Sequence, residues 1–311
     1  MCSEARETYK IRNWAEYNDA LIHRYDVTFW FSENVLSQWR HENGNQGQGR
    51  PFTFSDLAIE TLLTMRELFQ LPYRGTEGFG RWVFRVMRLD LEIPGYAALC
   101  KRAKKLAVDL SVREKRGKIN VIVDSTGLKV YGEGEWKTRT HGKSRRRTWR
   151  KLHLGVNADT QEIEAELLTH NGCHDSHGVA PLRKQIRNKV GSLYGDGTYD
   201  TWEVRGGLAR TDTRQIIPPS KNAKIKRHGN RRGPRLERDD AIRFIRRHGR
   251  KAWKKHIGYH RRSLGETTMF RLKTIFGGRL KNRLLENQKT ESRLRCKILN
   301  HFTRLGLPKY T

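Results

Sequence analysis

The sequence predicts an α/β fold in which a mixed sheet with flanking helices follows an all-α N-terminal region. Apolar residues recur at helical intervals up to Leu110, whereas after Lys118 short apolar runs of strand length alternate with helical segments. The charge changes at the same point: residues 1–116 carry 18 basic and 15 acidic side chains, and residues 117–311 carry 45 and 18. We therefore expect a nearly neutral helical region at 1–116 and a strongly basic α/β domain after it.

Three helices are predicted in the N-terminal region. They cover Thr53–Gln70, Glu77–Leu89 and Tyr96–Leu110, and the breaks between them contain Pro72 and Pro94. Short helices separated by tight breaks are compatible with a helix-turn-helix-like unit. They are equally compatible with a plain helical bundle that packs on the next domain.

The α/β domain is predicted to begin with a buried strand, INVIVDST at 119–126, because a continuous apolar run there has strand length. A second strand or extended arm begins at Leu128. WRKLHLGVNADT and EIEAELLTH then predict an antiparallel hairpin around a turn at 157–161. The remaining predicted elements are, in order, a helix at 176–189, a short strand that ends at Asp196, a helix at 201–210, a strand at 214–220, a helix around 239–248 and a final helix that contains Glu266.

The positive charge predicts a polyanionic partner. The formal net charge is +30, and residues 117–311 contribute +27 of it. Such a surface usually neutralises phosphates and releases their counterions, and without a partner it would repel itself. The alternative is a generic solvated cationic surface.

Other features argue against a membrane or disulfide-rich protein. No run of about 18 apolar residues is present, and the N-terminus MCSEARETYKIRNW lacks an apolar signal core. The four cysteines form no CxxC pair, so we interpret them as reduced thiols of a cytoplasmic protein. The stretch HNGCHDSHG offers Cys173, His174, Asp175 and His177 as zinc ligands, but no second half-site accompanies it, which favours a polar loop.

Two basic segments are candidate nucleic-acid contacts. The first, KTRTHGKSRRRTWRK at 137–151, has eight cations and no acid, and Trp136 and Trp149 offer stacking surfaces. The second, KNAKIKRHGNRRGPR, belongs to residues 221–262, which hold 17 basic and 3 acidic residues. A basic tail that binds RNA would have a similar composition. In the first segment the candidate DNA-binding side chains are Lys137, Arg145, Arg146, Arg147, Arg150 and Lys151.

Glu266 is the only acidic residue between Asp240 and Glu286. If residues 259–273 form one helix, four side chains lie within an arc of roughly 60°. They are Tyr259, Arg262, Glu266 and Lys273, so one carboxylate shares a face with two cations and a phenol. Taken alone, an i,i+4 surface ion pair between Arg262 and Glu266, worth about 0.3–0.5 kcal/mol, would explain the pattern.

Two aspartates suggest a further role for Glu266. Asp124 follows the apolar run 119–123 and Asp196 follows another predicted strand, so neighbouring strands would bring them together at one edge of the sheet. A buried strand has little reason to end in an acid that lacks a partner, although a turn or helix cap would also explain either aspartate. Three carboxylates near phosphates would repel one another unless divalent cations bind them, and oxygen ligands suit Mg²⁺ or Mn²⁺.

These residues resemble a known family. Tyr259, Arg262, Glu266 and Lys273 match the Y-(2)-R-(3)-E-(6)-K signature of bacterial insertion-sequence DDE transposases. IVDSTGLKVYGEGEW with Asp124 and YGDGTYDTW with Asp196 look like the blocks of that family's first two acids. The sequences of these two blocks, together with YRGTEGFGRWVFRVMRLDLEIPGYAALCKRAKK, are most similar to the insertion sequence five branch. The resemblance covers most of residues 50–285.

The resemblance implies a ribonuclease-H-like catalytic core at 117–285, preceded by a helical DNA-end-binding region at 1–116 and followed by a basic tail at 286–311. Asp124, Asp196 and Glu266 would be catalytic and hold two metal ions, Mg²⁺ or Mn²⁺. Arg262 and Lys273 would contact phosphate, and Tyr259 would position DNA or the helix. Some relatives insert a large β domain before the glutamate, but here the interval of 70 positions from Asp196 to Glu266 leaves little room for one.

The function implied is metal-dependent cleavage at terminal inverted repeats and strand transfer into target DNA. The protein would be bacterial, cytoplasmic and nucleoid-associated, and a homodimer or higher homo-oligomer would synapse two ends. Two alternatives remain: a ribonuclease-H-like nuclease without strand transfer, and a non-enzymatic DNA-binding regulator derived from a transposase. The three acids favour an enzyme, because a pure binder gains nothing from carboxylates that face phosphate.

Overall fold

The computed structural model describes residues 10–28, 30–42, 51–130, 149–227 and 236–310. It has two compact units. The helical unit consists of Met1–Leu106 and Ile298–Thr311, and the sheet unit consists of Ala107–Lys297. Within the described ranges, no helix combines the length and the apolar character that a bilayer crossing requires.

The helical unit is built around its third helix. Its helices are α1 Trp14–His23, α2 Glu33–Ser37, α3 Asp56–Leu68, α4 Tyr73–Val86 and α5 Tyr96–Ala103. The side chain of Ser55 caps α3 by accepting the amide of Ala58 at 3.1 Å. From Ala58 onwards nearly every residue of α3 is buried, because α4 and α5 both pack on it.

The three predicted N-terminal helices are present, but the third is shorter than expected. It ends at Ala103 rather than Leu110. Leu106, Val108 and Leu110 are buried and alternate with exposed residues. This period of two is typical of extended chain, and a short stretch of it is easily mistaken for the apolar side of a helix.

The sheet unit contains a mixed sheet. Its strands are β1 Ile119–Val130, β2 Trp149–Asn157, β3 Ile163–His170, β4 Val190–Tyr194, β5 Arg214–Ile216 and β6 Arg279–Leu280. The order is β3-β2-β1-β4-β5, with β2 antiparallel to both β1 and β3, and with β4 parallel to both β1 and β5. The short β6 pairs in parallel with the end of β1. The predicted α/β class, with a mixed sheet and flanking helices after an all-α region, is confirmed.

Helices cover both faces of this sheet. They are α6 Val179–Gln185, α7 Trp202–Ala209, α8 Glu237–His256, α9 Ser263–Phe276 and α10 Leu285–Leu305. Val121 and Val123 of β1 share a core with residues of α6 and α7. Ile122 points to the opposite face, because side chains alternate along a strand, and there it meets α9.

Three sequence predictions need correction. β1 continues to Val130, so the predicted strand start at Leu128 belongs to it, and Asp124 lies in mid-strand rather than at a strand end. The predicted helix at 259–273 is two elements, because a 3₁₀ turn at Tyr259–Arg262 precedes α9. Residues 286–311, expected to be a tail, lie mostly in α10, and Leu294, Ile298 and Phe302 are buried there.

The C-terminal helix buries an acidic group of the sheet. Glu166 of β3 is 5% exposed and accepts a hydrogen bond from Ser292 of α10, while Arg293 lies 3.8 Å away. Burial raises the pKa of Glu166 to about 7, although Ser292 and Arg293 oppose the rise. The folded protein therefore keeps a proton there that the unfolded chain loses above its ordinary value of 4.5.

Glu166→Gln should remove a pH dependence of stability. In the wild type the stabilising effect of the retained proton is complete below pH 4.5 and disappears as the pH rises through 7, a loss of about 3 kcal/mol. The free energy of unfolding of the variant, measured with urea, should therefore rise relative to that of the wild type between pH 5 and pH 8. The exposed Glu203→Gln is the control. If the free energies of unfolding of Glu166→Gln and the wild type differ by the same amount at every pH, the expectation is contradicted.

Candidate active site

Asp124 and Asp196 are brought together by the register of two parallel strands. Ile122 of β1 lies opposite Tyr194, the last residue of β4. Two residues further along each chain are Asp124, still within β1, and Asp196, just beyond the end of β4. The sheet thus places the two aspartates side by side, although only one of them follows a strand end.

Asp196 also caps a short turn. Its Oδ1 accepts hydrogen bonds from the amide of Thr198 at 2.9 Å and from the Thr198 hydroxyl at 2.5 Å, at the start of a 3₁₀ helix at Gly197–Tyr199. Asp196 therefore does cap a helix, which was the alternative explanation of this aspartate in the sequence. Both bonds use the same oxygen, so the cap fixes the carboxylate without engaging Oδ2.

Glu266 is positioned by a close approach of α9 to β1. A Cβ added to Gly265 would lie 2.8 Å from Cγ2 of Ile122 and 3.8 Å from Cβ of Asp124. Because glycine has no side chain, the first turn of α9 can lie directly on the strand that carries Asp124. Glu266 follows Gly265, and its side chain is 57% exposed.

Arg262 links two of the three acids. Its Nη1 lies 3.4 Å from Oδ2 of Asp124, and its Nη2 pairs with Oε1 of Glu266. Only 20% of the Arg262 side chain is exposed, so the guanidinium is held between the strand and the helix. The i,i+4 ion pair expected as the simplest explanation of Glu266 therefore exists, but Arg262 also pairs with Asp124, whose side chain is 18% exposed.

The three carboxylates act on one another electrostatically. Burial is the main cause that raises the pKa of Asp124; the carboxylates of Asp196 and Glu266 raise it further, while the Ser125 amide and Arg262 oppose the rise. Burial also raises the pKa of the Tyr259 phenol, and the same three acids add to the rise. Asp124, Asp196, Glu266, Arg262 and Tyr259 therefore occupy one neighbourhood.

The acids do not form a ready-made ligand set. Across the described ranges, no group of three or more His, Cys, Asp or Glu side chains is arranged to hold a metal ion. Arg262 occupies the position where Asp124 and Glu266 would share a cation. The donors are nevertheless carboxylate oxygens, which suit Mg²⁺ or Mn²⁺.

The other predicted contacts have mixed outcomes. Lys273 lies half-buried on α9, seven residues after Glu266. Lys151 pairs with Asp175 at 3.0 Å and donates to the Cys173 carbonyl, and Arg150 donates to Gln288 at 2.9 Å, so both side chains have protein partners. The remaining four, Lys137, Arg145, Arg146 and Arg147, lie outside the described residues.

A polar cluster beside Asp124 was not identified from the sequence. Asp175 accepts a hydrogen bond from Ser125 at 2.7 Å as well as pairing with Lys151. His174 accepts the Ser176 amide at 3.3 Å, which makes its stretch part of a turn. Tyr199 is buried, and after burial the charges of Asp124, Asp175 and Asp196 raise its pKa. Ser125 and Lys151 lie 50 and 24 residues before Asp175 in the chain, so no local signal in the sequence could have revealed these two contacts.

Comparison with known proteins gives two family matches. A family model described as "Transposase DDE domain" matches residues 115–301, and another with the same description matches residues 22–133. The first match alone covers more than half of the chain.

Solved structures with some similarity are also transposases. A piggyBac transposase synaptic complex with hairpin DNA aligns with 95% of this chain and 77% of its own, at 8% identity and a TM-score of 0.39. A pre-cleavage Mos1 transpososome aligns with 85% of this chain and 81% of its own, at 9% identity and a TM-score of 0.23. The Mos1 Strand Transfer Complex aligns with 56% of this chain and 61% of its own, at 9% identity and a TM-score of 0.23.

Proposed function

Because the chain belongs to the transposase DDE domain family, we propose that it cuts DNA at the ends of a mobile element and joins the freed 3′-hydroxyl to target DNA. Asp124, Asp196 and Glu266 are the proposed catalytic acids. The proposal extends to the insertion sequence five branch, whose Y-(2)-R-(3)-E-(6)-K spacing the chain contains.

The observation that carries the proposal is the convergence of distant acids on one cation. Strand register sets Asp124 beside Asp196, and the close contact at Gly265 sets Glu266 above Asp124. Arg262 then bridges Asp124 and Glu266. A structural ion pair on a helix surface would not need a partly buried aspartate as its second acid, because desolvation disfavours the ionised form of that aspartate.

The carboxylate donors suit the two divalent cations proposed here, Mg²⁺ or Mn²⁺. The ionised form of Asp124 is disfavoured by burial and by two neighbouring carboxylates, and a dication would offset all three effects. Oδ2 of Asp196 is not used by its cap. When bound, a metal ion would activate a water or hydroxyl oxygen and stabilise the leaving oxygen.

The chain's own cations have separate proposed roles. Arg262 pairs with Asp124 and Glu266, and it would contact DNA phosphate when these acids hold a metal ion. Tyr259 lies against Trp253, with ring centroids 6.1 Å apart, and fixes the turn that begins α9. Lys273 contributes a phosphate contact two turns further along the same helix.

Two displacements at phosphorus make up the proposed reaction. In the first, a water oxygen bonds to the scissile phosphorus, the bond to the 3′-oxygen breaks, and that oxygen leaves as a 3′-hydroxyl. In the second, this hydroxyl attacks a target phosphodiester and releases a target 3′-hydroxyl. The proposed DNA partners are therefore terminal inverted repeats and target DNA, and a homodimer or larger assembly would hold two ends together.

An assay with two substrates tests the proposal. The full-length protein is incubated with a supercoiled target plasmid and a pre-cut end duplex, with Mn²⁺, with Mg²⁺ or with chelator. Metal-dependent joined products support transposition. Cleavage without joining would indicate a nuclease, and retardation without chemistry would indicate a DNA-binding regulator; either result would overturn the proposal.

A further inference from the structure

Each of the two proposed catalytic aspartates has one carboxylate oxygen held by a residue close to it in the chain. Oδ1 of Asp196 accepts both bonds of its cap from Thr198. Oδ1 of Asp124 accepts the amide of Ser125 at 2.8 Å, while its Oδ2 lies 3.4 Å from Nη1 of Arg262. The orientation of the Asp124 carboxylate therefore depends on the position of the Ser125 peptide group.

The Ser125 amide faces a gap in the described sheet. On the side of β1 away from β2, β4 ends opposite Ile122 and β6 begins opposite Lys129. The Lys129 amide donates to the Gly278 carbonyl, just before β6, and amides four residues apart along a strand point the same way. The Ser125 amide thus points between β4 and β6, where it bonds to the Asp124 carboxylate.

The Ser125 side chain is held on the opposite face of the sheet. Side chains alternate along β1, so Asp124 points towards α9 and Ser125 points away from it. On that other face the Ser125 hydroxyl donates to Oδ1 of Asp175 at 2.7 Å. An acid 50 positions further along the chain therefore holds the residue that orients Asp124.

Lys151 is the cation that holds Asp175. Its Nζ lies 3.0 Å from Oδ1 of Asp175 and donates to the Cys173 carbonyl at 2.8 Å. Burial alone would raise the pKa of Asp175, but the Ser125 hydroxyl and Lys151 lower it below its ordinary value. Asp175 is therefore ionised at neutral pH, and Lys151, with 25% of its side chain exposed, is already engaged within the protein.

His153 does not supply the charge that balances Asp175. It lies opposite Ser125 in the register of β1 and β2 and is 1% exposed. Burial lowers the pKa of His153 to about 4 against the charge of Asp175, and Lys151 adds to the fall. The ring is therefore neutral at neutral pH, and its Nε2 lies 2.9 Å from the Thr169 hydroxyl. Lys151 is left as the positive partner of Asp175.

We propose that Asp175 and Lys151 are positioning residues of the candidate active site, which act through Ser125 to keep one oxygen of Asp124 directed at the proposed metal ions. Lys151 serves the site from within the protein, which differs from the DNA contact that the sequence suggested for it. This assignment rests on the proposed function, since it takes Asp124 to be a metal ligand.

Mn²⁺ titration of the full-length protein by calorimetry, without DNA, tests the assignment. Asp175→Ala should bind Mn²⁺ about 10- to 100-fold more weakly, the usual effect of losing a hydrogen-bonded partner of a metal ligand. Lys151→Met should also bind Mn²⁺ more weakly, because Asp175 is then no longer held in place. Charge alone predicts the opposite for Lys151→Met, since removal of a cation favours a nearby dication. Tighter Mn²⁺ binding by this variant would overturn the assignment.

A double variant shows whether Asp175 acts through Ser125. Ser125→Ala loses the hydroxyl but keeps the amide that bonds to Asp124, and it should weaken Mn²⁺ binding. The double variant of Ser125→Ala and Asp175→Ala should bind Mn²⁺ no more weakly than Asp175→Ala, because both changes break the same link. Additive losses would mean that Asp175 acts independently of Ser125, which contradicts the proposal.

The salt dependence of DNA binding separates positioning from DNA contact. A lysine that contacts phosphate contributes about 0.9 to the slope of log affinity against log salt concentration. Lys151→Met should keep the wild-type slope when binding is measured with chelator. A slope that is smaller by about 0.9 would show that Lys151 contacts DNA, and the assignment of Lys151 would fail.

A matched ion pair and the melting temperature serve as controls. Asp240 pairs with Arg243 at 3.1 Å on α8, and its side chain is 31% exposed against 22% for Asp175. Asp240→Ala should leave the affinity for Mn²⁺ unchanged. Melting temperatures show which variants are folded, and if Asp175→Ala is not, then Ser125→Ala and Lys151→Met decide the outcome.

The same measurements distinguish a failure of this assignment from a failure of the proposed function. If the wild type binds Mn²⁺ and cleaves DNA while Asp175→Ala binds Mn²⁺ equally well, the assignment alone fails. If the wild type neither binds Mn²⁺ nor cleaves DNA, the proposed function fails and the assignment fails with it.

Discussion

Glu266→Gln should abolish DNA cleavage and leave DNA affinity equal or higher. Glutamine keeps an oxygen that can accept from Arg262 but loses the charge that a metal ion requires, so the helix should stay in place. We expect a loss of at least about 1000-fold in cleavage rate, beyond the 10- to 100-fold that loss of an outer-shell partner causes. DNA affinity should not fall, because one negative charge is removed from a surface that faces phosphate.

A matched variant makes this measurement specific. Glu286 has the same side-chain exposure as Glu266, 57%, and pairs with a nearby cation, Lys289, at 3.1 Å. Glu286→Gln should cleave DNA at the wild-type rate. If Glu266→Gln behaves like Glu286→Gln, then Glu266 is only a partner of Arg262. Cleavage rates with Mn²⁺ and equilibrium binding with chelator distinguish these outcomes.

Arg262→Ala should bind Mn²⁺ more tightly in the absence of DNA, yet cleave more slowly. In the wild type the guanidinium pairs with both Asp124 and Glu266, so the proposed metal ion would have to displace it. Removing two partly exposed ion pairs, each worth up to about 1 kcal/mol, should strengthen Mn²⁺ binding on the order of 10-fold. Cleavage should slow because the proposed phosphate contact is lost.

Metal titration by calorimetry checks this expectation independently of activity. The neighbouring Arg261 is the control, because it pairs with Asp159 and donates to the Ala158 carbonyl at 3.1 Å instead. Arg261→Ala should leave Mn²⁺ affinity unchanged. Equal or weaker Mn²⁺ binding by Arg262→Ala would contradict the view that Arg262 holds the place of a cation.

The parts of the fold that depend on local pattern could be predicted from the sequence. The hairpin around residues 157–161, the helix that begins near Ser55 and the strand before Asp196 all follow from apolar period and turn residues. The extent of β1 could not be predicted this way. Ser125, Thr126 and Gly127 are typical of a strand end, but β2 pairs with all three and continues the strand.

The site was accessible from sequence only in part. The spacing around Glu266 marked it as a candidate acid, but did not reveal that Gly258, with φ of 71°, separates α8 from a 3₁₀ turn at Tyr259. The burial of Glu166 was also hidden, because alternation along β3 does not reveal that α10 covers its polar face. Contacts between residues far apart in the chain have no counterpart in a local pattern.

The attachment of α9 at both ends affects how the protein can vary. Gly265 holds the start of the helix against Ile122, and the pairing of β6 with Lys129 and Val130 holds the chain that follows it. Both anchors belong to β1, the strand that carries Asp124. The length of the polypeptide before α9 is therefore not what sets the distance between the acids, and whole modules could be gained or lost ahead of Gly258 while the geometry of the acids is preserved.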